Sequence, residues 1–97
     1  MTNKDLKEKI ALVVNDESEL DQIAVLEGDE FADGCIGLTI DNRLVYSYER
    51  LIESISKHPE ISYEDAMEHI EFNTIRSLPY IAAQDLHAPI IIHEFDA

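Results

Sequence analysis

The sequence has no tryptophan, one cysteine, three glycines, three prolines and only seven Lys and Arg residues in 97. Each shortage excludes something. A lone Cys35 cannot staple a small domain, so the chain suits a reducing compartment. With Gly28, Gly34 and Gly37 as its only glycines, it has no Gly-rich loop to cradle a phosphate. No apolar run approaches the roughly 20 residues of a membrane span. None of signal-peptide length follows Met1-Thr2-Asn3-Lys4-Asp5 either, and the expected location is the cytoplasm. The seven cations face 21 Asp and Glu, a formal charge of −14. Direct binding to nucleic acid or to an anionic membrane is therefore disfavoured, since no basic footprint exists.

What is present is one domain's worth of periodic apolar residues, expected to fold as a single unit over residues 1–97. Leu6, Ile10, Val13 and Val14 form a helical stripe, which predicts a helix over 3–14 capped by Asn3. Ser18–Leu26 reads either as a short helix capped by Ser18, the preferred reading, or as a strand over Ile23–Leu26. Residues 27–34 read as a loop. Residues 35–46 read as a hairpin in which Ile36, Leu38 and Ile40 alternate, with Asp41-Asn42 as a two-residue turn.

Ser47 then caps a helix over 47–57 with the stripe Tyr48, Leu51, Ile52 and Ile55, stopped by His58-Pro59. Ser62 caps a helix over 62–77, with Tyr63, Met67, Ile70 and Thr74 inward, ending before Pro79. Residues 80–88 read as a loop. Residues 89–95 read as a strand, whose Ile90-Ile91-Ile92 asks for apolar cover on both faces. The expected class is α+β, a small antiparallel or mixed sheet covered by helices.

Candidate sites for chemistry fail on spacing. Asp29, Asp33 and Gly34 open like a calcium loop, but Phe31 and Ile40 stand where oxygen ligands belong. His58, His69, His87 and His93 lack the spacing of a zinc site. Cys35 has neither a Gly-rich elbow nor a helix N-terminus to activate it. No catalytic residue, metal or cofactor is expected. Crowded carboxylates are expected to repel one another and to raise their mean pKa.

The segment Glu71-Phe72-Asn73-Thr74-Ile75-Arg76-Ser77-Leu78-Pro79-Tyr80, preceded by Val45-Tyr46-Ser47-Tyr48 and followed by Pro89-Ile90-Ile91, resembles a group of small acidic proteins carried by bacteriophages and prophages. The resemblance spans about residues 34–92, implies a viral or mobile-element setting, and supplies no catalytic residue. With the charge, it leads to the expectation of a small protein that binds, and inhibits, a basic host protein. A nucleic-acid-binding or defence protein is meant, such as a CRISPR effector or restriction nuclease, met by DNA mimicry. The alternative is a phage structural or assembly accessory that oligomerises through Ile81, Leu86 or Phe95.

Two sets of acids are candidates for partner binding: Asp29, Glu30 and Asp33 in the loop, and Glu64, Glu68 and Glu71 on one helix. The helical set stands about 5–6 Å apart per step, near the spacing of successive phosphates. Asn73, Arg76 and Tyr80 form a third candidate patch, Asn73 and Arg76 being one turn apart and expected to face one way.

Overall fold

The computed structural model describes residues 1–95. In chain order it contains α1 (Asn3–Val13), α2 (Glu17–Gln22), α3 (Asp29–Ala32), β1 (Cys35–Leu38), β2 (Leu44–Ser47), α4 (Tyr48–Ser56), α5 (Tyr63–His69), a π-helical turn (Ile70–Thr74), a 3-10 turn (Ile75–Ser77), α6 (Leu78–Ala82) and β3 (Ile90–Ile92). This is the expected α+β class. The sheet is mixed, in the order β1-β2-β3, with β1 antiparallel and β3 parallel to β2. A parallel partner needs a crossover. Here the crossover is the whole helical stretch from α4 to α6.

β2 is the central strand and the most buried one. Leu44, Tyr46 and Ser47 are 1% exposed or less. Around them pack Leu6 and Ile10 of α1, Leu51, Ile52 and Ile55 of α4, and Ala66 of α5 with Ile70 just beyond it, all inside one core. Each fully buried aliphatic side chain contributes about 1.5–3 kcal/mol. Ala66 is small enough for α5 to lie close against α4. Of the expected stripe Ile70 and Thr74 are buried and Met67 is half-buried against the core, whereas Tyr63 is exposed and Ala66 joins the buried face.

Several expected boundaries move, each for a local reason. The N-cap of α1 is Thr2, which forms a capping box with Asp5. Asn3 instead donates from Nδ2 to the carbonyls of Leu26 and Gly28. α2 is capped by Asp16, not Ser18, and ends at Gln22. Ile23 then forms an isolated parallel bridge to His87, and the alternative strand over Ile23–Leu26 is not formed. The expected loop 27–34 contains α3, entered through Gly28 at φ +105°, a conformation that favours glycine. Gly34 is required for a different reason: a Cβ there would lie 2.5 Å from Leu51 Cδ2.

The hairpin over 35–46 resolves into strands 35–38 and 44–47. Its turn has three central residues, Ile40, Asp41 and Asn42, of which only Asn42 takes positive φ. Ile40 is consequently at the tip and fully exposed. A register shift between Cys35 and Gly37 turns Ile36 outward, leaving Cys35 and Leu38 as the inward pair of β1.

The helix expected over 62–77 does not stop before Pro79. α5 passes into the π turn, where the Ile75 N–H reaches the Ile70 carbonyl, then into the 3-10 turn and on through α6 to Ala82. Pro79 sits in the first turn of α6, where a missing N–H costs nothing. The strand expected over 89–95 is only Ile90–Ile92, and it lies at the sheet edge. Pro89 is fully buried, but the three isoleucines are half-buried to exposed, so the two-sided cover expected for them is absent. His93 and Glu94 leave the sheet because α4 captures them.

The Tyr46 hydroxyl, buried under the sheet, accepts the Leu26 N–H at 3.2 Å. Burial pushes its phenol up to about 12 against the opposing effect of that bond. Tyr46→Phe should leave the Leu26 N–H unpaired and lower unfolding free energy by about 1–3 kcal/mol. Urea denaturation with an unchanged m-value checks this. A variant as stable as the parent would show that water reaches Leu26.

Candidate functional site

Residues 63–82 form one almost unbroken helical ridge along the surface. It begins at Ser62, whose hydroxyl accepts the Asp65 N–H as the sequence predicts. The outer side of its first half carries Glu64, Glu68 and Glu71, all exposed. Among the described residues no cation lies within 4.0 Å of these three carboxylates. Glu71 alone is engaged, accepting the Tyr48 hydroxyl at 3.1 Å. Burial of Tyr48, and next the Glu71 carboxylate, hold that phenol above its ordinary value.

The second half changes character because the winding changes. Phe72 is 55% and Tyr80 75% exposed, with Ile75 also at the surface. The Arg76 guanidinium lies 4.9 Å from the Phe72 ring centroid, a cation–π pair at i, i+4. Asn73 does not join Arg76. Its Nδ2 is 3.3 Å from His69 Nδ1, and it lines a cavity between the ridge and residues 24–27. The expected Asn73–Arg76–Tyr80 patch is thus divided. Arg76 pairs with Phe72, Tyr80 is exposed farther along, and Asn73 turns to the cavity. Phe72 joins the candidates through this contact, and an aromatic four residues before an arginine on a helix is the sequence signal for it.

Two of the three loop acids serve the fold. Asp29 Oδ1 accepts the Asn3 N–H at 2.9 Å, and Asp33 Oδ1 accepts from the Met1 α-amino group at 2.7 Å. That last bond holds the Asp33 carboxyl below its ordinary value. Asp29 and Asp33 brace the start of α1, while the Glu30 carboxylate lies beside Gly28.

A second polar group, not visible from the sequence, sits where β3 meets α4. Arg50 grips Glu94 with two bonds of 2.8 and 3.0 Å. Glu49 accepts from the Glu94 backbone N–H and lies 2.7 Å from His93 Nδ1. The His93 ring stands edge-on to Tyr48 at 5.0 Å. These contacts join residues more than 40 apart, which sequence spacing does not reveal.

Cys35 lines a small cavity between α1 and β1, and burial pushes its thiol up, the opposite of nucleophile activation. Among the described residues no three His, Cys, Asp or Glu converge as metal ligands. No helix among them is long and apolar enough to cross a membrane. Ile81 and Leu86 line the Asn73 cavity, and Phe95 is fully exposed and is not among the residues lining it. Comparison with protein-family models, curated proteins and solved structures finds no match to the chain.

The expectation of raised carboxylate pKa values is reversed wherever a shift is resolved. Asp5, Asp16, Asp33, Asp41, Glu49 and Glu94 are all lowered, because each accepts hydrogen bonds that favour the charged form. Glu49 is lowered first by the Glu94 N–H and then by His93, and Glu94 first by Arg50. A depressed folded-state pKa gives stability that is present above the unfolded value, near 4.5 for Glu, and lost as pH falls through the folded one. Melting temperature should therefore drop between pH 5 and pH 3. The drop should be smaller in Glu49→Gln and Glu94→Gln, which lack the titrating groups. Equal drops in parent and variants would show that the clamp at β3 carries none of the pH dependence.

Proposed function

We propose that the chain is a protein-binding protein whose ridge over 63–82 occupies a basic, nucleic-acid-binding surface of another protein. The observation that carries this reading is the ridge itself. Three exposed carboxylates stand along one helical element, Glu64 and Glu68 on α5 and Glu71 in the π turn, and among the described residues no cation lies within 4.0 Å of them. A rigid element holds the spacing of its charges without loss of entropy on binding. The chain's −14 charge steers such an encounter over distances of about a Debye length.

The aromatic half supplies what an acidic face lacks. Phe72, Arg76 and Tyr80 are of the residue types that dominate binding energy at interfaces. The Arg76–Phe72 pair already holds the guanidinium in place, which limits the ordering cost of contact. In this division of labour the carboxylates guide association and the aromatic half sets the residence time. Occupation of the partner's groove would exclude nucleic acid from it, so the biochemical outcome is inhibition by mimicry. The resemblance to small phage-borne acidic proteins agrees with a host defence or nucleic-acid-processing target.

The test is capture on the immobilised protein from a bacterial lysate, with elution by a duplex DNA oligomer and, separately, by salt. Proteins released by the duplex as well as by salt are the expected class. Glu64→Gln, Glu68→Gln and Glu71→Gln combined should slow association several-fold and flatten its salt dependence, leaving the fold intact. Phe72→Ala should instead speed dissociation. A triple Gln variant that captures the same proteins with the same salt profile would remove the ridge from the mechanism.

A further inference from the structure

Behind the ridge lies a feature that surface charge does not explain. A cavity of about 740 Å³ opens between α3, the end of α4, the 57–61 connection and α5, with Phe31, Ile55 and Ile61 as its apolar walls. A second, of about 460 Å³, opens between residues 24–27, the π turn and α6, with Leu26, Ile81 and Leu86 among its walls. Both are lined by Phe31 and His69. These two rings stack at 6.2 Å and 14°, so they form a saddle between two halves of one trough. Asn73 fixes the outer edge of the saddle through His69.

The charges around this trough are unequal. Glu30 and Asp65 line the larger half and Glu27 the smaller, against a single lysine, Lys57, at the α4 end. Helical elements supply about half of the walls and connecting segments the rest, and none of the three strands lines either half. An extended chain laid there would bury backbone N–H and C=O groups without partners. A helix brings its own hydrogen bonds satisfied and offers a row of side chains. A second copy of this chain is a poor occupant, since it would bring another −14 into contact.

We propose that the trough is the docking site of one amphipathic, positively charged helix of a partner protein, its apolar side chains seated on either side of His69. Its Lys and Arg residues face Glu27, Glu30 and Asp65. The proposal rests on the reading of the chain as a binder of basic proteins, and it adds a second, apolar contact on a different face of the ridge helix.

The probe is a fluorescein-labelled peptide of about 16 residues made of Leu and Lys, with Leu at helical i, i+3, i+4, i+7 spacing. Its control has the same composition with Leu and Lys alternating. Fluorescence anisotropy should show the helical peptide binding at least about tenfold more tightly than the control. Ile61→Ser combined with Leu86→Ser should abolish that preference. Amide shifts in the unmodified protein should centre on Phe31, Ile61, His69 and Leu86, and they decide the matter if the double variant does not fold. Equal binding of the two peptides, or shifts confined to the Glu64–Glu71 face, would overturn the proposal. So would a dimer of the free protein whose interface maps to these residues. The triple Gln variant of the ridge separates the two readings. If it keeps the helical preference, the trough stands whatever the ridge acids bind. If it loses the preference, the binding belongs to the ridge and the trough proposal falls.

Discussion

Burial of β2 is the constraint on which the rest of the structure depends. A strand with hydrogen-bonding neighbours on both edges and side chains covered on both faces needs two other strands and at least two helices. Leu44 and Tyr46 hold that position, and the Tyr46 hydroxyl ties the Leu26 segment to the same core. β3 can pair in parallel with β2 only after a long crossover. That requirement sends α4, α5, the π turn and α6 across the molecule, and so it places the ridge at the surface.

The acids divide by what they touch. Asp5 and Asp16 cap helices, Asp29 and Asp33 hold the start of α1, and Glu49 and Glu94 close the edge at β3. These carboxylates are consumed by hydrogen bonds within the fold. Glu64 and Glu68 have no such partner among the described residues, and Glu71 has only a phenol. A surface this acidic is therefore two populations, one structural and one free. The free acids are spread over the described surface, and Glu64, Asp65 and Glu68 are those that fall on the element flanked by exposed aromatics and an apolar trough.

The π turn is the hinge between those properties. A turn wound at i→i+5 is uncommon and often marks a working part of a helix. Here it lets Ile70 and Thr74 stay in the core while Asn73 turns toward His69 and Phe72 stays outside under Arg76. The 3-10 turn that follows tightens the chain again and delivers Pro79 to the start of α6. An uninterrupted α-helix would have met Pro79 in its interior, where the ring clashes with the preceding turn.

Local chemistry alone settled a good part of this protein. The stripe Leu51, Ile52 and Ile55, the caps Ser47 and Ser62, and the exposed row Glu64, Glu68 and Glu71 follow from helical periodicity and side-chain oxygen placement, which act within one or two turns. The shared sheet of hairpin and final strand follows from apolar patterning. What tertiary structure decided is wherever a distant partner outweighs local preference. Asn3 gives up capping to hold Leu26 and Gly28. Ile36 turns outward at a register shift, and Ile40 is displaced to a turn tip. Pro89–Phe95 yields a three-residue strand because Glu49 and Arg50, more than 40 residues earlier, take His93 and Glu94. Asn73 and Arg76 part because the winding between them is not α. For Asn3, His93 and Glu94 the deciding energy is a contact between residues far apart in sequence, and residue order carries no record of which distant atom will arrive.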